Sequence, residues 1–432
     1  MRDRQLPQGF ASSRALTRRS FVAALGLGCS LLAGCGGAEK NGAGKDGAAT
    51  AVPDAKGVVY DRQDPSASAG AATTAQTGAA ASELTLYAVG DVLLHQNVYG
   101  SGMFEDGSRN YDHLYAHVKA DIEPADIAVV EQETMLAGES FGFQGFPTFN
   151  GPQEIIDAEV AAGFDVAIHA NNHAMDQGLA GIESELSYWR ENYPQITVTG
   201  IYDNEADFER ASIVEKNGRR VAILSYTATT NGIALPDGAP WAVRMLDESR
   251  IEQDLALARE AGADVIVAFP HCGTEYAEEA DSVQRYWAGL LADQGADAVI
   301  CDHPHVIQPF EWLDASDGRR VPCFWSTGNF VSGQLRKDTM VEGMAKLTFD
   351  FGEDGVQVKA CGMEILVNHK AEGTNFSVYP LRDYTEELAS QNLIRYCDGC
   401  SDFSRQWCVD FAAARMGSGF NAETCEFVAD CG

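Results

Sequence analysis

Val166-Ala167-Ile168-His169-Ala170-Asn171-Asn172-His173 passes in one step from an apolar run to amides and imidazoles. A short β-branched run bounded this way reads as a buried strand whose C-terminal end carries polar work. The pattern repeats along the chain. A strand over 84–89 ends at Gly90-Asp91, one over 127–130 at Glu131-Gln132-Glu133, one over 264–269 at Pro270-His271, and one over 298–301 at Asp302-His303-Pro304-His305. Helix-length segments separate them at 111–121, 152–162 (opening on Pro152, a favoured start), 178–193, 247–261 and 281–293. A further strand is expected over 196–200, and Asn217-Gly218 marks a hairpin between 211–215 and 220–225. Alternating strands and helices predict an α/β domain. The last third reads β-rich, with runs over 321–325, 343–349 and 356–367.

In an α/β sheet the C-terminal ends of the strands share one edge, where such folds bind ligands. Asp91, Glu131, Glu133, Asn172, His173, His271, His303 and His305 all lie just past predicted strands and are expected to meet there. His303-Pro304-His305 adds a stiff spacer that presents two imidazoles to one place. Carboxylate, amide and imidazole together suit Zn, Mn or Fe. A divalent ion among them would polarise a substrate oxygen and acidify water. His95, His113, His117 and His369 read as structural, His95 being nearest the cluster because it follows Asp91 by four residues.

The N-terminus carries Arg2, Arg4, Arg14, Arg18 and Arg19 before an apolar stretch over 21–33 that is too short to span a bilayer. Thr17-Arg18-Arg19-Ser20-Phe21 reads as a twin-arginine export signal, and Leu32-Ala33-Gly34-Cys35 resembles a lipobox with Cys35 as the lipidated residue. The expected organisation is a signal over 1–35, an Ala/Gly/Ser/Thr-rich tether over 36–82, a principal domain over 83–380 and a Cys-rich appendage over 381–432. The protein would then be exported and lipid-anchored to the outer face of the cytoplasmic membrane. The net charge of −32 argues against nucleic acid as a partner. Of eleven cysteines, five crowd the tail: Cys397, Cys400, Cys408, Cys425 and Cys431. Export permits disulfides, and a disulfide-stapled tail is favoured over a zinc knuckle at Cys397 and Cys400.

Several motifs occur in order: Gly90-Asp91-Val92-Leu93-Leu94, Glu131-Gln132-Glu133-Thr134, Asn171-Asn172-His173-Ala174-Met175-Asp176-Gln177-Gly178, His271-Cys272-Gly273-Thr274-Glu275-Tyr276, His303-Pro304-His305-Val306 and Ser326-Thr327-Gly328-Asn329-Phe330. Over about 84–335 they resemble the poly-γ-glutamate capsule-synthesis (CapA) family, itself similar to the calcineurin-like metallophosphoesterases. The resemblance implies a four-layer α/β/β/α sandwich of the metallo-dependent phosphatase type, with one or two divalent ions at the sheet edge. It implies Asp91, Glu133, Asn172, His271, His303 and His305 as ligands, and His173 as the acid oriented by Asp176. Glu131, Asn171 and Glu275 would support the ligands or face the substrate, and Asn329 would shape the rim or cap a turn. The sequence departs from the family where Glu131 replaces a common Asn, Cys272 a usual Trp and Cys301 a common Gly. Cys272 and Cys301 follow neighbouring predicted strands, where they would form a disulfide beside the site or add a soft ligand, the disulfide being favoured.

Two functions fit. One is a metal-dependent hydrolase acting on γ-glutamyl amide or phosphoester bonds. The other is a non-catalytic accessory factor for export or anchoring of an anionic envelope polymer, with that polymer or its synthesis machinery as partner. A redox module built on Cys397 and Cys400 lacks the surrounding βαβ pattern.

Overall fold

The computed structural model describes residues 80–353 and 355–431. The expected export signal, Cys35 and the tether up to residue 79 lie outside the described residues. The chain is already held just before 83: Ala81 N–H donates to Asn217 O at 2.9 Å, and Arg219 Nε–H donates to Ala81 O at 2.8 Å.

The strands in chain order are β1 (Glu83–Leu93), β2 (Ile127–Glu131), β3 (Val166–Ile168), β4 (Thr197–Thr199), β5 (Ile213–Lys216), β6 (Arg219–Thr227), β7 (Val265–His271) and β8 (Ala298–Ile300). They continue as β9 (Phe310–Asp314), β10 (Arg320–Phe324), β11 (Asn329–Ser332), β12 (Val341–Gly352), β13 (Gly355–His369), β14 (Ser377–Pro380), β15 (Phe420–Asn421) and β16 (Glu426–Val428). One sheet has ten strands in the order β15-β16-β13-β12-β1-β2-β3-β4, with β11 also beside β1 and β14 beside β13. The other has six in the order β5-β6-β7-β8-β10-β9. Within them β1 to β4 run parallel, as do β6, β7, β8 and β10.

Period-two side-chain alternation sorts the residues into layers. Leu84, Leu86, Ile127 and Val129 of the first sheet share a core with Val221, Ile223, Val265 and Val267 of the second, so the sheets pack face to face. The intervening Ala128 and Val130 point the other way, onto Ile155, Ile156 and Ala158 of the helix Glu154–Ala162. On the far side Ala222, Leu224, Ile266 and Ala268 meet the helices Glu248–Glu260 and Ser282–Gln294. Helix, sheet, sheet, helix is the four-layer order.

The tail differs from the expected appendage. Phe403, Cys408, Val409 and Ala412, on or beside the helix Arg405–Met416, belong to the inter-sheet core, and β16 is hydrogen-bonded to β13. The first sheet has four more strands than the second, and the tail contributes to the core that this larger sheet requires. Among the described residues all nine cysteines are thiols, so neither the stapled tail nor the Cys272–Cys301 bridge is present. The bridge fails on register: His271 pairs with Asp302, which offsets Cys272 from Cys301, and Cys301 lies in the outer core with Cys323 instead. The expected helix over 111–121 is a 3-10 turn at Asp112–Leu114 and a short helix at Lys119–Ile122.

Candidate metal centre

β1 carries a register shift between Val89 and Asp91. Gly90 sits in this irregularity because a Cβ there would come within 1.8 Å of Gly328 O. The close approach of the two chains re-aims Asp91 toward the edge where the parallel strands end. Glu131 is the last residue of β2 and His271 the last of β7. Glu133, Asn172 and His173 follow β2 and β3, and His303 and His305 follow β8.

These residues meet across the two sheets. Ligand atoms of Asp91, Glu133 and His271 all lie within 4.8 Å of one another. His305 Nδ1 stands 2.9 Å from Asp91 Oδ2, and His303 Nδ1 stands 3.2 Å from His271 Nε2. His271 Nε2 lies 2.7 Å from Asn172 Oδ1, while His271 Nδ1 lies 3.6 Å from Glu131 Oε1. His173 Nε2 is 3.9 Å from Glu133 Oε1. His173 Nδ1–H donates to Asp176 Oδ2 at 2.7 Å, and Phe149 N–H donates to the same oxygen at 2.6 Å.

Neighbouring groups hold the donors in place. Asn171 Nδ2–H donates to Glu131 Oε1 at 3.3 Å and to Gln132 O at 3.0 Å, while its Oδ1 accepts from His173 N–H at 3.0 Å. Asn329 is fully buried rather than at the rim, and its amide donates to Gln334 Oε1 at 3.1 Å beside the His305 carbonyl. Glu275 is exposed and borders a cleft of about 310 Å³ that is also walled by Phe149, His173, Tyr276 and His305. His95 lines the same cleft.

Backbone strain concentrates here. Tyr276, His303 and His305 have φ of 63°, 105° and 61°, a region that costs a non-glycine residue about 1–3 kcal/mol. The paired imidazoles on either side of Pro304 are held in that conformation by the packing around them.

Burial pushes the carboxyls of Asp91, Glu131, Glu133 and Asp302 well above their usual range, and nearby carboxylates add to the rise. Burial lowers His303 to about 3 and His305 to about 4, and drives His271 down as well. Asp91 Oδ1, both Glu133 carboxylate oxygens and His271 Nδ1 are buried without a hydrogen-bond partner. Buried polar atoms are rarely left so. A divalent cation taking one ligand atom each from Asp91, Glu133 and His271 would partner these residues and reverse the electrostatics that hold the acids neutral. The donor set fits such an ion.

Two members escape sequence reasoning. Asp302 is buried, with Oδ1 accepting from Thr327 N–H and Oγ1–H, and its charge bears on Asp91, Glu131 and Glu133. Its signal was present, since it directly precedes the His-Pro-His run. Glu342 on β12 is fully buried with neither carboxylate oxygen partnered, and Asp91 raises its pKa further. A lone acid in an apolar strand gives no cue of that kind.

Four layers with a carboxylate, amide and imidazole cluster at their common edge are the arrangement that the sequence resemblance implied. The family described as bacterial capsule synthesis protein PGA_cap matches residues 85–334, and the chain belongs to that family. Among curated relatives it is 26% identical over 266 residues to the capsule biosynthesis protein CapA of Bacillus anthracis, covering 58% of this chain and 60% of that protein. It is 31% identical over 172 residues to the PGA biosynthesis protein CapA of Bacillus subtilis (strain 168), covering 40% of this chain and 43% of that one. The chain thus spans about half the length of the curated relatives it matches. A solved calcineurin-like phosphoesterase from Bacillus subtilis aligns over 68% of this chain and 91% of its own, at 16% identity and a TM-score of 0.40.

Proposed function

We propose that this chain is a cell-envelope hydrolase that uses one or two Zn, Mn or Fe ions to cleave a phosphoester or a γ-glutamyl amide. The observation that carries the reading is the open-valence set at Asp91, Glu133 and His271 beside a His173–Asp176 pair. When bound, the ion supplies positive charge that polarises a substrate oxygen and acidifies water. Asp91, Glu133, Asn172, His271, His303 and His305 would hold it. His173 keeps Nδ1–H on Asp176, so its Nε2 is the atom that gives a proton to the leaving group, and the Asp176 carboxylate stabilises the imidazolium. Phe149 packs edge-on against the His173 ring, with centroids 4.7 Å apart, and its N–H holds Asp176, so it helps fix the orientation of the pair.

Export through the signal over 1–35 and lipid attachment at Cys35 would place the domain at the outer face of the cytoplasmic membrane. Its partner there is an anionic envelope polymer or the machinery that makes it. The relatives' names speak of biosynthesis, and that favours a second reading: an accessory factor for polymer export or anchoring that holds metal without turning over.

The test is elemental analysis of the purified protein beside a His303→Ala, His305→Ala double variant, followed by phosphoester and γ-glutamyl amide assays. One or two equivalents of Zn, Mn or Fe, lost in a still-folded variant together with turnover, is the expected result. Metal retention without turnover on either substrate class supports the accessory role. No metal uptake on titration overturns both metal readings.

A further inference from the structure

Cys361 lies on β13, and Cys431 stands three residues past the end of β16. These strands are antiparallel neighbours, with Gly362 opposite Val428 and Ala429 N–H donating to Cys361 O at 3.0 Å. Diagonal residues of such a pair share a face, and the two Sγ atoms are 3.8 Å apart. The residue before Cys431 is anchored from the other sheet, where Trp312 Nε1–H donates to Asp430 O at 3.1 Å. We propose that Cys361 and Cys431 are a disulfide-forming pair that staples the C-terminal end of the chain to the ten-stranded sheet.

Closing the sulfurs to the bond length of about 2.05 Å asks for a small movement of Cys431, which lies beyond the strand ladder. Exposure sets the order of events: Cys361 is 3% exposed and Cys431 is half-buried. The Cys431 thiolate attacks one sulfur of an external disulfide and releases a thiol. The Cys361 thiolate then attacks Cys431 Sγ and releases the second. Two cysteine thiols are oxidised, one external disulfide is reduced to two thiols, and the two protons end on those thiols.

Cys431 borders a cavity of about 450 Å³ whose wall also carries Arg319 and Arg320. Asp297 stands on the same wall and Arg319 is already paired with Asp317 at 2.6 Å, so the cavity serves as the access route for an external disulfide and not as a charge-selective site. Burial raises the Cys361 thiol and Arg320 opposes that rise. The bond would close a 70-residue loop that contains the helix Arg405–Met416, and it would remove that loop's freedom from the unfolded chain. The proposal is independent of the metal chemistry.

The test uses the full chain, incubated natively with oxidised glutathione, alkylated, digested without reductant and mapped by mass spectrometry. A Cys361–Cys431 peptide pair lighter by two hydrogens is expected. Thermal melts of the oxidised protein should fall by roughly 5 °C on adding reductant, and a Cys431→Ser variant should lose that response. Both cysteines still alkylated after oxidation, either one linked elsewhere, or an equal response in Cys431→Ser would overturn the proposal.

Discussion

Among the described residues, one cluster of buried acids sits at the sheet edge and another beneath the helices. At the edge, Asp91, Glu131 and Glu133 face three imidazoles, with Asp91 Oδ1 and both Glu133 oxygens left unpartnered. Beneath the helices Glu159 and Glu185 are fully buried, with His169 Nδ1 at 3.4 Å from Glu185 Oε1 and Leu136 N–H donating to Glu185 Oε2 at 2.7 Å. Burial lifts Glu185 from 4.5 to about 8 and drops His169 to about 3. Glu185 therefore keeps its proton at neutral pH, while its Oε1, both His169 ring nitrogens and both Glu159 oxygens are left without a hydrogen-bond partner. The same desolvation acts on both clusters, and the donors separate them: two acids and one imidazole beneath the helices are held toward their neutral forms, whereas acids, an amide and several imidazoles from both sheets would suit a metal cation. The number of converging donors separates a binding site from a structural pair.

The contrast breaks most sharply at the ligands. Asp91→Ala should abolish metal binding and any turnover, whereas Glu185→Gln should leave metal content unchanged by elemental analysis. Loss of metal in both would make the second cluster part of the centre. Next in size, His173→Ala should lower kcat by roughly 10²–10⁴-fold while metal stays bound. A variant that instead loses its metal would make His173 a ligand. Asn171→Ala, which releases Glu131 and the His173 backbone, should weaken metal affinity by about 10–100-fold, measured by competition with a chelator.

The smallest effect concerns the helix-side pair and is read as stability against pH. The folded Glu185 carboxyl titrates near 8, against 4.5 for the unfolded value. As pH rises between those values the unfolded chain gives up its proton first, so stability falls across that window. Glu185→Gln should show a shallower fall than the wild type in thermal melts over the same range. Identical slopes would mean that the carboxyl is not held protonated.

Much of the architecture was legible from local pattern. β2, β3, β7 and β8 are short apolar runs ending in polar residues, and burial on both faces leaves parallel strands little other composition. The helices Gly178–Asn192, Glu248–Glu260 and Ser282–Gln294 fall where the apolar periodicity put them. The segment 111–121 misled because Tyr111, Leu114, Tyr115 and Val118 repeat at helical spacing, yet aromatic and β-branched residues favour helix weakly. These side chains are buried from a chain of successive turns. The tail misled for another reason. Its cysteines suggested a separate stapled unit, while Phe403, Val409 and Ala412 complete a core shared with the rest of the domain.

The sequence by itself determined the alternation of strands and helices and the residue types at the strand ends, because side-chain period and strand composition are local properties. It thereby named the donors. Only the tertiary structure decided that two sheets bring those donors together, that Asp302 joins them and Asn329 braces them from within, and that Cys361 faces Cys431. Each of those depends on strand order and register between segments far apart in the chain, and a one-residue change in register would turn every such side chain to the opposite face.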